Sequence, residues 1–454
     1  MYPVIAASAS LILIASLLYV FHRWENSVEP TLKIMTVVFC LLGLSRLILF
    51  DNFAETVLNF ADPLQTFLRW GYHIGYAVIP MAVFTKSRLF RNIATYFSSA
   101  MALLSVIFIN STMEYILSTK GHEFGSNVRL TPFLHYFLYI SEIALALAIP
   151  VLMAIKRKHK IEIHNREELI HIAIGLPAIL VQMMPSYIPQ SLFGYTSIDF
   201  SSFSPFHLGW IVLIAVECVI LYLYFRHRSA EDKYNLLLFL VFAQVFHTVS
   251  IFLRGFLLGR MPIQLCSIAA FFYFFTVATR SRSMFGFCYL ANIVGAVVAI
   301  FLAAFDVGAM YFFTLHYIYE HTFVMLMPIL AVALGVFPRL ERRDLSCALG
   351  VFTIYFLACY TSGILINTLT GVYTVNYFYM FDYSVALKYV PFATFTGAIE
   401  ISLGALKVYP ILIGVIYMVF VLLISGFYAM MRGFYRLADR VHHRQEQGAM
   451  RPRI

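Results

Sequence analysis

Charge is what this sequence has least of. Asp, Glu, Lys and Arg make up 12% of its 454 residues, hydrophobic residues reach 61%, and the mean hydropathy is +0.81. A soluble domain carries about a quarter charged residues, so a water-soluble globular protein is excluded. Paired cysteines are missing as well. Cys40, Cys218, Cys266, Cys288, Cys347 and Cys359 stand singly, mostly inside apolar runs, with no CxxC or zinc-like spacing. Disulfides and structural zinc are therefore not expected. No polar stretch between the apolar runs is long enough for a soluble domain. The first run, about 3–21, lacks a basic n-region and exceeds a usual signal h-region, so it is expected to remain as a helix.

What is present is a series of apolar stretches of about 18 to 25 residues, the length a bilayer core requires. They predict an all-α polytopic membrane protein with about thirteen transmembrane helices, at 3–21, 32–50, 66–84, 90–109, 132–155, 168–189, 206–226, 235–253, 262–278, 284–305, 310–337, 345–369 and 408–432. The net charge of +9 would suggest nucleic acid in a soluble protein. Here 24 of the 32 Lys and Arg residues fall in alternate short loops and the tail, so no nucleic-acid partner is expected and membrane lipids are. The positive-inside rule puts the N-terminus outside and the C-terminus in the cytoplasm, with a bacterial cytoplasmic membrane as the expected setting. The tail 432–454 is basic, an orientation signal and a contact for anionic lipid.

The chain reads as duplicated. Pro63-Leu-Gln65, leading to Thr85–Arg88, parallels Pro262-Ile-Gln264, leading to Thr279–Arg282, and Phe133-Leu-His135-Tyr136 parallels Thr314-Leu-His316-Tyr317. Six helices per unit is an even number, so the two repeats would run parallel, related by an axis along the membrane normal. The expected organisation is a degenerate six-helix repeat over 1–200, a second over 203–431 with helix thirteen as an addition, and the basic tail. The repeats differ at Cys266, which aligns with Phe67.

Polar groups in apolar helices are costly to desolvate and need a partner or a task. On the expected topology, Gln264 and Cys266 open helix nine, His316 opens helix eleven, His207 opens helix seven, His247 lies in the outer part of helix eight, and Asn376 precedes helix thirteen, all on the outer side. A thiol becomes a nucleophile as its thiolate, with a nearby imidazole as base. Glu320 shares a helix face with His316 and would orient the ring. His321 points elsewhere, so no metal site is expected, nor any cofactor. Asn376 or backbone amides would stabilise an oxyanion. The plain alternative for each stands beside this. Cys266 as a small packing residue, the His and Glu paired with each other or with carbonyls, and the aromatics as packing and interfacial belts need no chemistry.

At Ser204-Pro-Phe-His207, Pro262-Ile-Gln-Leu-Cys266-Ser267, His316 and Asn376-Tyr377, the stretch of about 203–431 resembles the YwaF and transmembrane protein 164 family of integral membrane proteins. The resemblance implies that Cys266 and His316 match the positions proposed for acyl transfer in the mammalian branch, which remodels ether phospholipids. The leading expectation is a lipid-directed acyltransferase with Cys266 as nucleophile and His316 as base, supported by Glu320, Asn376, His207, His247 and Gln264. The alternatives are a transporter or lipid flippase, which Arg46, Arg69, Glu142 and Glu217 keep open, and a non-catalytic scaffold.

Overall fold

A computed structural model describes residues 2–23, 28–49, 63–85, 87–110, 132–156, 201, 203–249, 261, 263–301, 308, 312–370, 375–381, 383–384, 387, 394–403 and 406–449, with isolated residues between 173 and 183. Six helices among these are long and apolar enough to cross a bilayer: Pro132–Ala154, Pro205–Phe225, Arg282–Phe301, Phe313–Ala333, Arg342–Thr370 and Pro410–Arg440. Val4–Leu13, Ile74–Phe84 and Leu265–Thr279 are shorter apolar helices. The protein is an all-α membrane protein. Each span expected from the sequence coincides with a helix except 168–189, most of which lies outside the described residues. Pro262, Lys388 and the side chains of Gln65, Phe67, Arg46 and Arg69 also lie outside them.

The chain divides into two compact units. The first comprises Met1–Trp210, His227–Arg260 and Ala304–Glu320. Its helices are α1 (Tyr2–Arg23), α2 (Val28–Leu49), α3 (Pro63–Phe84), a bent α4 (88–107), α5 (Pro132–Lys156) and α7 (Ala230–Val249), with the first turns of α6 (Pro205–Phe225) and α10 (Phe312–Ala333). Helix α5 packs on α1 and α2, and α7 packs on α2 and α3. Small and hydroxylic residues permit these approaches. Ser10 Oγ on α1 meets Ser141 Oγ on α5 at 2.9 Å. Gly43 on α2 leaves room for the Tyr76 ring and the Glu142 carboxylate, which a Cβ would meet. The Tyr76 hydroxyl donates to buried Glu142, and its ring stacks on Phe246 of α7 at 5.1 Å.

The second unit comprises Ile211–Arg226, Met261–Ala303 and His321–Ile454. It holds the rest of α6 and α10 with α8 (Leu265–Thr279), a bent α9 (282–301), α11 (Arg342–Thr370) and α12 (Pro410–Ala449). A hairpin of β1 (Ile401–Leu403) and β2 (Leu406–Val408) precedes α12. The α8–α9 turn follows from its residues. Arg280 is left-handed (φ 54°), its N–H donates to Val277 O, and the Ser281 N–H reaches back to Thr276 O, a Schellman end. Ser281 then caps α9, accepting from Met284 N. Asp344 at the start of α11 accepts from Arg282 Nε and Nη2 at 3.2 and 3.1 Å and caps its own helix through Glu341 N at 2.7 Å. At the far end, Arg339 pairs with Asp439 of α12 at 2.6 Å and lies over the Tyr435 ring.

Two bent helices share one construction. Helix α4 runs as Arg88–Ile93, a π-helical turn Ala94–Ser98, and Ser99–Ile107, segments of 6, 5 and 9 residues. Helix α9 runs as Arg282–Phe287, a π turn Cys288–Asn292, and Ile293–Phe301, again 6, 5 and 9. In α9 the irregularity is tied to a proline. Pro328 of α10 has no N–H for the Val324 carbonyl, and the buried Tyr273 hydroxyl stands 2.9 Å from that oxygen and 2.7 Å from Cys288 O of the π turn. One phenolic proton serves both carbonyls.

Candidate functional site

The thiol expected to do chemistry sits at a helix start. Gln264 is the extended residue before α8 (φ −61°, ψ 147°); its side chain makes no capping bond, and it is exposed. Leu265, Cys266 and Ser267 form the first turn, whose N–H groups the helix itself does not use. Cys266 is half-buried and its Sγ lies 4.0 Å from Ser267 Oγ. The approach to this turn is pinned from α11, because the Ile263 carbonyl accepts the Tyr355 hydroxyl and, at 3.5 Å, the Cys359 thiol. The Tyr355 ring meets Phe378 edge-on at 6.0 Å. A thiol at a helix start is an arrangement that favours the thiolate.

The segment after α11 turns back onto the same neighbourhood. Asn367 of α11 clamps Val375 in both directions, donating to its carbonyl and accepting its N–H, each at 3.0 Å. Asn376 Oδ1 accepts the Phe381 N–H at 2.9 Å. Between the clamps, Phe378 and Tyr379 are left-handed (φ 52° and 60°), which costs a bulky residue about 1–3 kcal/mol. Phe378 is buried against Phe352, Tyr355, Phe356 and Phe420. The turn buries Tyr377 to 4% exposure with no hydrogen-bond partner for its hydroxyl among the described residues. Burial pushes its phenol up to about 12, with the neighbouring Cys359 thiol adding to the effect, so the proton stays on at neutral pH.

The first unit carries a separate polar cluster. His247 on α7 and His316 on α10 stack with ring centroids 4.2 Å apart and an 18° interplanar angle. Each ring bonds the other's backbone: His247 Nε2 lies 3.2 Å from His316 O, and His316 Nε2 lies 2.9 Å from His247 O. A carbonyl only accepts, so each Nε2 carries a proton and Nδ1 is the basic atom of each neutral ring. His247 lies in the last turn of α7, where carbonyls have no helical partner, so the His316 ring closes that helix end. One turn further along α10, Glu320 accepts from Thr248 Oγ1 at 3.0 Å. Tyr319 meets the His247 ring edge-on at 4.8 Å and accepts from Gln182. Gln244, one turn before His247 and Thr248, is fully buried with neither amide atom bonded among the described residues.

The residues singled out from the sequence thus fall in two places. His207, His247, His316 and Glu320 belong to the first unit, and Gln264, Cys266 and Asn376 to the second. His247 and His316 are brought together. His207 is buried in the first turn of α6, its Nδ1 accepting the Phe203 N–H at 3.1 Å. The His316 ring takes its orientation from the α7 backbone and the His247 stack, and Glu320 takes a proton donor from Thr248. The Asn376 carbonyl oxygen is engaged by the backbone of its own loop. Sequence reading missed Tyr355, Cys359, Tyr377, Thr248 and Gln244. Tyr377 had a signal, standing beside Asn376 in the quoted pair, whereas Tyr355 and Cys359 are indistinguishable from packing in an apolar helix.

No curated protein and no solved structure matches this chain. The TMEM164 family profile matches residues 202–428, half of the sequence, and this span contains Cys266, His316, the Asn376–Tyr377 turn, four of the six long apolar helices whole and most of a fifth. The chain is therefore a multi-pass integral membrane protein that belongs to the TMEM164 family.

Proposed function

We propose that the protein transfers acyl groups between lipids through a thioester on Cys266. The observation that carries this reading is the half-buried thiol in the first turn of an uncapped helix, where nucleophile and oxyanion donors come from one turn. The thiol gives its proton to a base, and sulfur bonds to the ester carbonyl carbon. The negative oxygen of the tetrahedral intermediate is held by N–H groups of Leu265–Ser267. The carbon–oxygen bond to the first lipid alcohol then breaks and that alcohol leaves with the proton. A second alcohol reverses the steps. The base implied by the family resemblance is His316, acting through Nδ1 because Nε2 donates to His247 O. A thiol-reactive acyl-lipid probe should label the wild-type protein at Cys266, and Cys266→Ala should abolish the labelling; labelling that persists in the variant would refute the proposal.

The wider architecture belongs to the same reading: thirteen helices, two parallel six-helix repeats, an outer N-terminus, a cytoplasmic C-terminus and a bacterial membrane. The shared 6-5-9 construction of α4 and α9 supports the repeat. So does the equal spacing of Glu142 to Pro150 in α5 and Glu320 to Pro328 in α10. The same buried carboxylates favour a second reading as a carrier, since intramembrane acids commonly line substrate or ion paths. Substrate counterflow in liposomes that survives Cys266→Ala would support the carrier over the acyltransferase.

A further inference from the structure

The turn after α11 holds a hydroxyl with no structural employment. Tyr377 is 4% exposed and its OH has no hydrogen-bond partner among the described residues. An unmet buried hydroxyl costs free energy, and a phenylalanine would fill the same space without that cost. The turn also invests in the position. Asn367 and Asn376 hold both ends through three bonds to the backbone, and the two residues that follow Tyr377 stay left-handed without being glycine. The surroundings are not uniformly apolar. Phe378, next in the chain to Tyr377, meets the Tyr355 ring edge-on at 6.0 Å, and the Cys359 thiol adds to the upward push on the Tyr377 phenol. Tyr355 and Cys359 are themselves turned to the Ile263 carbonyl, three residues before Cys266. Their donors are spoken for; the Tyr377 proton has no acceptor among the described residues.

We infer that the Tyr377 hydroxyl is the hydrogen-bond donor that receives the acyl carbonyl of a lipid ester at Cys266. The inference rests on Cys266 as the acyl-accepting thiol. It names a carbonyl as the group the site takes, because the phenol brings a donor proton with no partner among the described residues and an acyl ester offers only acceptors. As the Cys266 sulfur adds to the carbonyl carbon, the oxygen becomes an alkoxide and the Tyr377 bond to it strengthens. When the ester carbon–oxygen bond breaks, the carbonyl re-forms as the thioester and Tyr377 keeps its proton throughout.

The test uses full-length protein in detergent with the p-nitrophenyl ester of a long-chain fatty acid as probe. Acylation of Cys266 is followed by peptide mapping, and iodoacetamide alkylation of the same thiol is followed in parallel. Tyr377→Phe should slow acylation about 100-fold, the scale of one lost oxyanion donor. Its alkylation rate should equal the wild type's, and its thermal midpoint should equal or exceed it. Acylation of Tyr377→Phe at the wild-type rate would overturn the inference. A lowered midpoint with alkylation slowed as much as acylation would also overturn it, showing that the hydroxyl only supports the fold. A wild-type protein that alkylates at Cys266 but is never acylated there would instead remove the acyl-transfer reading, and this inference with it.

Discussion

At the scale of single residues, the sequence shows which polar groups stand in apolar helices but not what they face. His247 and His316 are visible as anomalies, yet their partnership is a reciprocal bond between residues far apart in the chain, and no spacing rule reaches that distance. Glu320 shares a helix face with His316, so a local rule assigns it to the ring; Thr248, from another helix, is a partner that rule cannot supply. Asn376 is expected from the sequence as an oxyanion donor, a role for its amide N–H groups; the bracing of the turn by its oxygen is a separate task that the sequence does not reveal. The histidine pair gives a sharp expectation. His247→Ala and His316→Ala each remove the stacked ring and leave one carbonyl without its donor, so either change already breaks most of the joint. In a double-mutant cycle followed by thermal unfolding in detergent, the two losses should overlap by about 0.5–3 kcal/mol, the range for groups in direct contact. Additive losses would show that the rings do not depend on each other.

At the scale of elements, helix positions were legible because apolar length and flanking Pro, Ser and basic residues act locally. Pro63, Pro132, Pro205 and Pro410 each stand at the first residue of a helix, where a missing N–H costs nothing. The π turns were not legible, since a five-residue change of pitch leaves no mark on hydropathy. Nor was the repair at Val324, where the hydroxyl of α8 substitutes for the amide that Pro328 lacks. Tyr273→Phe should therefore destabilise the detergent-solubilised protein by about 1–3 kcal/mol, the penalty of unmet buried carbonyls. The same change should cost less in a Pro328→Ala background, where residue 328 regains an N–H for Val324 O. Equal costs in the two backgrounds would mean that the Tyr273 proton belongs to Cys288 O alone.

At the scale of the whole molecule, composition alone established a membrane protein, and the family match secured its second half. The asymmetry of Lys and Arg adds an orientation, which reporter fusions check directly. A reporter active only in the cytoplasm should work after residue 449 and fail before residue 2, and the opposite pattern would invert the proposed topology. What composition could not convey is the phase of the later part of α9. A helix advances about 100° per residue, and a π turn accommodates one residue more than the α-turn it replaces. Ile293, Ala296 and Ile300 are buried on the far side of that turn. The extra residue in Cys288–Asn292 thus works as a phase shifter. Without it those three side chains would face about 100° away from the neighbours that now enclose them, and the matching turn in α4 sets the same rotation for Met101, Ala102 and Ser105.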